Sequence, residues 1–298
     1  MTDFCSSKKL LTDGIAKLRL SKIPTPELDA RILLSYVINY QNTIYIHNDI
    51  KISKKEKNKF YDCIRKRIKG KPVSRIIGSR NFWKNNFLIN KYTLDPRADS
   101  EVIIEVVTKN YGNSSNHFQI LDLGSGSGCI GLSIIDDLKN ASLLSLDICN
   151  KALEQVNINA KRLNLSKQLH CAQINWFENK WIENIKLITQ NESLFSKNKF
   201  DIIVCNPPYI KSSDIKKLQT EVKNYDPLIS LDGGIDGCDS YRAIFEGLKE
   251  LLSTKGLCYM EIGYDLLEDI KNILQEFNLN LIRVYKDFQG HSRVIEIN

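Results

Sequence analysis

The sequence predicts an α/β protein: a seven-stranded, mostly parallel sheet with its last strand antiparallel, preceded by a small N-terminal helical bundle and a hairpin linker. Three observations carry this. From residue 118 on, short apolar runs alternate with amphipathic stretches, the rhythm of a sheet covered by helices on both faces. The last two apolar runs are only five residues apart, too close for a parallel crossover. The first seventy residues carry helical periodicity alone.

The bundle comes first. Thr25 before Pro26 reads as an N-cap with proline at the first helical position, and Leu28, Ile32, Leu33, Tyr36 and Val37 recur behind it at helical spacing. Ser53-Lys-Lys-Glu56 is a capping box; Phe60, Ile64 and Ile68 form one stripe, and Gly70 with Pro72 ends that helix. Asn81-Phe-Trp83 and Phe87-Leu-Ile89 flank Lys84-Asn-Asn86, a hairpin pattern between roughly 80 and 95. Pro96 then precedes a helix rich in Val102, Ile103, Val106 and Val107. Domains are accordingly expected at 1–75, 76–95 and 96–298.

The strands are expected at Gln119–Leu123, Ser142–Asp147, Lys167–Gln173, Phe200–Cys205, Gly256–Ile262, Leu281–Lys286 and Ser292–Ile297. Helices are expected near 129–139, 150–164, 213–224, 240–252 and 264–277.

The 298 residues hold 42% apolar and 26% charged side chains, an ordinary globular balance. Eight scattered cysteines without Cys-x-x-Cys and four scattered histidines argue against a zinc site, and read as reduced thiols of a cytoplasmic protein. No signal-peptide pattern or membrane-length apolar run is present, so no membrane partner is expected. The net charge of +7 is uneven: residues 51–91 carry 14 basic and 2 acidic side chains, a local +12. A solvated helix face is the ordinary meaning of such a run, and docking of an acidic protein surface is the functional one.

Asp122-Leu-Gly124-Ser-Gly126-Ser-Gly128-Cys-Ile-Gly131 follows an apolar strand and opens a helix, so its glycines can bring backbone close to a ligand. Asp147 ends the next strand, where a carboxylate can accept both hydroxyls of a ribose. Gly126 to Gly131 also satisfies the dinucleotide fingerprint, so a nicotinamide or flavin enzyme is admitted here. The preceding Asp122-Leu-Gly124 instead resembles the S-adenosylmethionine loop of class I methyltransferases.

Asn206-Pro-Pro-Tyr209 directly follows a strand and should face the same crevice. The Asn206 oxygen can accept one N–H of a planar amine, and a main-chain carbonyl such as that of Pro207 can accept the other. Consecutive prolines stiffen the turn and remove donors, and Tyr209 offers a flat face. Holding a weakly nucleophilic nitrogen in this way suits methyl transfer, in which no residue need deprotonate it first. Hydride transfer has no use for such an element, and the methyltransferase reading wins.

At these residues the chain resembles the HemK/PrmC family of protein-(glutamine-N5) methyltransferases. The resemblance covers nearly the whole chain. It includes Pro72-Val-Ser-Arg-Ile-Ile-Gly78 with Asn81-Phe-Trp83, Thr93-Leu-Asp-Pro-Arg97 with Asp99-Ser-Glu101, and Tyr225-Asp-Pro-Leu228. Leu231-Asp-Gly-Gly-Ile-Asp-Gly237, Tyr241-Arg242, Glu261-Ile-Gly-Tyr264 and Lys286-Asp-Phe-Gln-Gly-His-Ser-Arg293 continue it. It implies a Rossmann-like class I domain that uses S-adenosylmethionine, without a metal, and releases S-adenosylhomocysteine. The implied substrate is the glutamine of the Gly-Gly-Gln motif in class I peptide-chain release factors, with no nucleic acid required. A ribosomal-protein glutamine, or an exocyclic amine of DNA or RNA, is the alternative.

The resemblance further implies cofactor contacts from Gly124, Ser125, Gly126, Ser127, Gly128, Asp147, Asn175, Trp176 and Asn206. Asn206, Pro207, Pro208 and Tyr209 would hold the glutamine amide, with Phe82 and Arg97 helping to close the pocket. Two departures stand out: Asn175 where the family commonly has aspartate, and Ala98 where proline is frequent. Trp83, Trp181 and Met260 are expected in packing roles, and His291 at the surface or a strand end.

Overall fold

A computed structural model describes residues 4–40, 44–45 and 49–298. The chain divides into two compact units. One comprises residues 1–79 with Gln219–Tyr225, the other Arg80–Leu218 with Asp226–Asn298.

The smaller unit begins with β1 (Cys5–Ser6) and α1 (Ser7–Leu20), followed by α2 (Pro26–Val37), β2 (Lys51–Ile52), α3 (Lys54–Ile68) and α4 (Val73–Ile77). The Ser53–Glu56 capping box is formed in both directions. Leu10, Leu11, Leu18, Leu33, Leu34, Phe60 and Ile64 make the core, each such side chain contributing about 1.5–3 kcal/mol on burial. A Cβ at Gly14 would lie 2.7 Å from the Phe60 ring, so glycine sets how closely α1 meets α3. Three expectations need correction. The region is not purely helical, because β1 and β2 pair antiparallel (Cys5 opposite Ile52). The α2 stripe is rotated: Ala30, Leu33, Leu34 and Val37 are buried, while Leu28 and Tyr36 face solvent. Ile68 ends the α3 stripe exposed.

β3 (Ser79–Phe82), all but its first residue in the larger unit, and β4 (Asn85–Leu88) form the hairpin, turning at Trp83-Lys84 and not at Lys84–Asn86. Trp83 takes φ +53°, held by its amide donating to Glu101 (2.8 Å) and its indole N–H donating to Asp137 (2.9 Å). Both bonds fasten the hairpin to this unit. After a 3-10 turn at Ala98–Ser100, the elements are α5 (Glu101–Tyr111), β5 (Phe118–Leu123), α6 (Cys129–Asp137), β6 (Ala141–Asp147) and α7 (Asn150–Arg162). Next come β7 (Leu169–Gln173), α8 (Trp181–Asn191) and β8 (Phe200–Cys205), then α9 (Thr220–Tyr225), which groups with the smaller unit. The chain closes with α10 (Asp239–Leu251), β9 (Leu252–Glu261), α11 (Leu267–Glu276), β10 (Leu281–Lys286) and β11 (Ser292–Ile297).

The sheet has seven strands in the order β10-β11-β9-β8-β5-β6-β7. β5 pairs parallel with both β6 and β8, and β11 lies antiparallel between β9 and β10, as the short final connection requires. One apolar cluster lies on each side of the sheet, so β5, β6 and β8 read as continuous apolar runs. Trp181 and Met260 are core, as expected. Strand order reverses at β5, which opens a crevice beyond the carboxyl ends of β5 and β8. No sequence signal marks helix α8, and in place of the one helix expected near 213–224 there is a 3-10 turn at Ile215–Lys217 followed by the short α9.

Candidate active site

The glycine loop spans the gap between β5 and α6. Gly124, Gly126 and Gly128 all take left-handed φ, at +72°, +55° and +78°. A side chain on Gly124 would also come within 3.1 Å of the Trp176 ring, so glycine allows Trp176 to lie directly on the loop. The Gly126 amide donates to Asp147 Oδ2 (2.9 Å), and the Cys149 amide donates to Oδ1 (2.8 Å). Those two bonds orient the carboxylate at the end of β6 and leave it further lone pairs. Burial raises the Asp147 pKa above the ordinary carboxylate value, opposed by these amides. Behind the loop, Asn159 of α7 donates to the Ser127 carbonyl (2.9 Å) and exchanges two hydrogen bonds with the Leu88 backbone.

A cavity of about 660 Å³ opens onto this loop, within the range of small-molecule sites. Of the residues expected at the site, Gly124, Ser125, Gly126, Ser127, Asp147, Asn175, Trp176, Asn206 and Pro208 line it. Gly128 caps α6 behind the loop, Pro207 is buried, and Tyr209 packs on the core. Arg97 lines the cavity and pairs with the buried Asp226 (2.5 Å), whereas Phe82 packs on Phe87 within the core. The Asn175 oxygen accepts the Phe177 amide (3.0 Å), so the departure from aspartate is absorbed into a local turn. His291 lies half-exposed at the turn between β10 and β11.

Among the described residues, three polar groups in the cavity wall are buried without a hydrogen-bond partner: the Ser125 and Ser127 hydroxyls and the Trp176 indole N–H. Such groups call for a polar ligand. Together with the oriented Asp147 carboxylate and the Trp176 ring, they fit a ligand carrying a ribose and an aromatic base.

Asn206 follows β8, the strand next to β5, and lines the same cavity. The backbone of its loop is gripped by the 231–234 segment: Ile210 N–H donates to the Leu231 carbonyl, Gly233 N–H to Ile210 and Ser212 N–H to Gly234, all at 2.8–2.9 Å. A Cβ at Gly233 would stand 2.7 Å from Tyr209 Cα, so glycine permits this contact. Sequence reasoning missed two supporting residues. Glu261, fully buried at the end of β9, accepts the Tyr209 hydroxyl (2.9 Å) and the Ser100 hydroxyl (2.5 Å). Ser100 in turn accepts Asn206 Nδ2 (2.9 Å). Both lie in stretches quoted for the family resemblance, but nothing local signals that they meet.

A doubly wound sheet, a glycine loop facing a strand-end carboxylate and an Asn-Pro-Pro-Tyr turn across one cavity define a Rossmann-like methyltransferase domain. A family model described as "PrmC N-terminal domain" matches residues 9–78, and one described as "Methyltransferase small domain" matches residues 92–223. A "Release factor glutamine methyltransferase" of Clostridium botulinum is 33% identical over 97% of this chain and 98% of its own length. One of Agrobacterium fabrum is 32% identical over 94% and 92%. A "Bifunctional methyltransferase" of Rickettsia conorii is 33% identical over 98% of this chain but only 57% of its own length, so the chain spans little more than half of that relative. The chain belongs to the release factor glutamine methyltransferase family. Among the described residues, no helix is long and apolar enough to cross a membrane.

Proposed function

We propose that this chain methylates the N5 amide nitrogen of the glutamine in the Gly-Gly-Gln motif of class I peptide-chain release factors, with S-adenosylmethionine as donor. The observation that carries the reading is the position of Asn206 beyond β8, on the cavity that the glycine loop and Asp147 also line.

Asp147 would accept the ribose hydroxyls, Trp176 would lie against the adenine, and Ser125 and Ser127 would gain the partners they lack. When bound, S-adenosylmethionine supplies a methyl group made electrophilic by its sulfonium. The protein's part is to hold the acceptor. Asn206 Oδ1 and the Pro207 carbonyl each take one N–H of the glutamine amide, which leaves the nitrogen face directed into the cavity. Positioning of this kind contributes several kcal/mol, up to ~7–11 in ideal cases. The Lys-rich face of α3 in the smaller unit would receive an acidic surface of the release factor.

Methyl-labelled S-adenosylmethionine offered with a release factor, its Gly-Gly-Gln glutamine-to-alanine variant, ribosomes or DNA tests the reading. Label is expected in the intact release factor alone. Label that persists in the alanine variant overturns the target, and label in DNA overturns the substrate class. Asp147→Ala should weaken donor binding roughly 10–100-fold in calorimetry, the scale of losing a charged hydrogen-bond acceptor.

A further inference from the structure

We propose that Glu261 and Ser100 are positioning residues that decide which end of the Asn206 amide faces the cavity. The inference rests on the function proposed above and adds the device by which the acceptor is aimed.

An asparagine side chain has nearly the same shape whether its oxygen or its nitrogen points forward. The two ends are opposite in chemistry: one accepts the substrate N–H and the other repels it. Something must choose between them, and here the choice follows from counting protons. Glu261 is 1% exposed and Ser100 3% exposed, so both are shielded from bulk water and their bonds are made within the protein. Each Glu261 oxygen receives one hydroxyl, Oε2 from Ser100 and Oε1 from Tyr209. A serine hydroxyl has a single proton, and that of Ser100 is committed to Glu261. Its Oγ is therefore left only as an acceptor toward Asn206, 2.9 Å away. Asn206 must present Nδ2 to Ser100, and Oδ1 is left for the cavity.

The residues come from three places in the chain: the 3-10 turn before α5, the end of β8 and the end of β9. Burial raises the Glu261 pKa above the ordinary glutamate value, and the two hydroxyls donated by Ser100 and Tyr209 act against that rise. Arg293, 8% exposed and paired with Asp287 (3.0 Å) and Asp99 (3.4 Å), makes a smaller contribution that lowers it, and Asp99 one that raises it. Tyr209 is then held by its hydroxyl, which stiffens the same loop that carries Asn206.

The relay makes a demand that ordinary packing does not. Asn206→Asp places two carboxylates on one hydroxyl whose proton is already given away, and should lower kcat at least 100-fold. Adding Glu261→Gln restores the wild-type total charge. The new Nε2 can donate to Ser100 Oγ, which frees the Ser100 proton for Asp at 206, and kcat should recover at least 10-fold over the single variant. Ser100→Ala should lower kcat about 10-fold with KM for the donor within threefold, and Ser100→Thr should restore it. The Asn206 side-chain amide resonance, identified by its loss in Asn206→Asp, supplies a readout independent of turnover. It should be shifted downfield and protected from exchange in the wild type and in Ser100→Thr, and released in Ser100→Ala.

An unchanged resonance in Ser100→Ala, or a double variant no faster than Asn206→Asp with both equally folded by thermal melting, overturns the inference. Wild-type protein that leaves the release factor unmethylated overturns the function proposed above; the resonance still decides the orientation.

Discussion

Asp122 accepts the Gly131 amide at 3.2 Å, entirely out of water. Glycine is needed there because a Cβ at 131 would stand 2.7 Å from the Asp122 carboxylate. Burial pushes the Asp122 pKa up to about 7 from 3.8, with a smaller contribution from the negative charge of Asp147. The folded state then binds a proton that the unfolded chain has released, so this group's stabilisation is complete below pH 3.8 and is lost as pH rises through about 7. The interval corresponds to roughly 4 kcal/mol. Asp122→Asn cannot ionise, and should gain stability relative to wild type between pH 5 and pH 8 in chemical denaturation. Parallel stability curves for the two proteins would contradict this.

Gly233 supports the site from outside it. The atoms nearest a Cβ there are all backbone: Tyr209 Cα at 2.7 Å, the Gly237 carbonyl at 2.8 Å and the Pro208 carbonyl at 2.9 Å. None can rotate away, so Gly233→Ala must displace the Asn206–Tyr209 turn. We expect a destabilisation of about 1–3 kcal/mol and a fall in kcat of roughly 100-fold, the scale for an ångström of misplacement. Donor affinity should stay within threefold, because the glycine loop and Asp147 lie on other strands. Comparison of kcat with the donor dissociation constant checks both.

The smaller unit depends on a buried cation. Arg67 is held by Asp29 (2.6 Å) and by Glu221 of α9 (2.7 Å). Removing only the guanidinium leaves Asp29 charged and buried, so Arg67→Ala should cost about 3–5 kcal/mol. The double variant Arg67→Leu with Asp29→Leu removes both charges and should lose less than the single. Thermal unfolding measures the difference, and a double variant worse than Arg67→Ala would refute it.

What the sequence made legible follows from what is local. Strand Phe200–Cys205 and the β5 run are apolar without interruption because parallel strands are buried on both faces, and their boundaries are read to within a residue. The glycine loop and the Asn-Pro-Pro-Tyr turn each announce themselves within a few residues. Helix α8 did not, because it opens at Lys180 in a left-handed conformation with no side-chain cap. The buried face of α2 is not legible because apolar residues occur nearly all round the helix, and only contact with α1 and α3 decides which are buried. Least legible was the support of the site: Ser100 and Glu261 are 161 residues apart in the chain, and only the closed sheet brings their side chains together.

Reversing the basic charge near α3 would test docking apart from chemistry. Within the smaller unit, Arg65 and Lys66 are both tied to Asp62 on the same helix. Lys54 and Lys55 are exposed in the first turn of α3, Lys57 is partly exposed, and none of the three forms an ion pair among the described residues. Cations in an N-terminal turn face the unfavourable end of the helix dipole, so they contribute little to the helix and are free to meet an acidic partner. Reversing all three to Glu should raise KM for a whole release factor at least fivefold at low salt. The difference should shrink as ionic strength rises and shortens the range of the interaction. Methylation of a short Gly-Gly-Gln peptide, which touches only the cavity, should be unchanged. An equal loss on peptide and whole factor would mean the lysines matter to the enzyme's own stability, and no change on either would remove α3 from the docking surface.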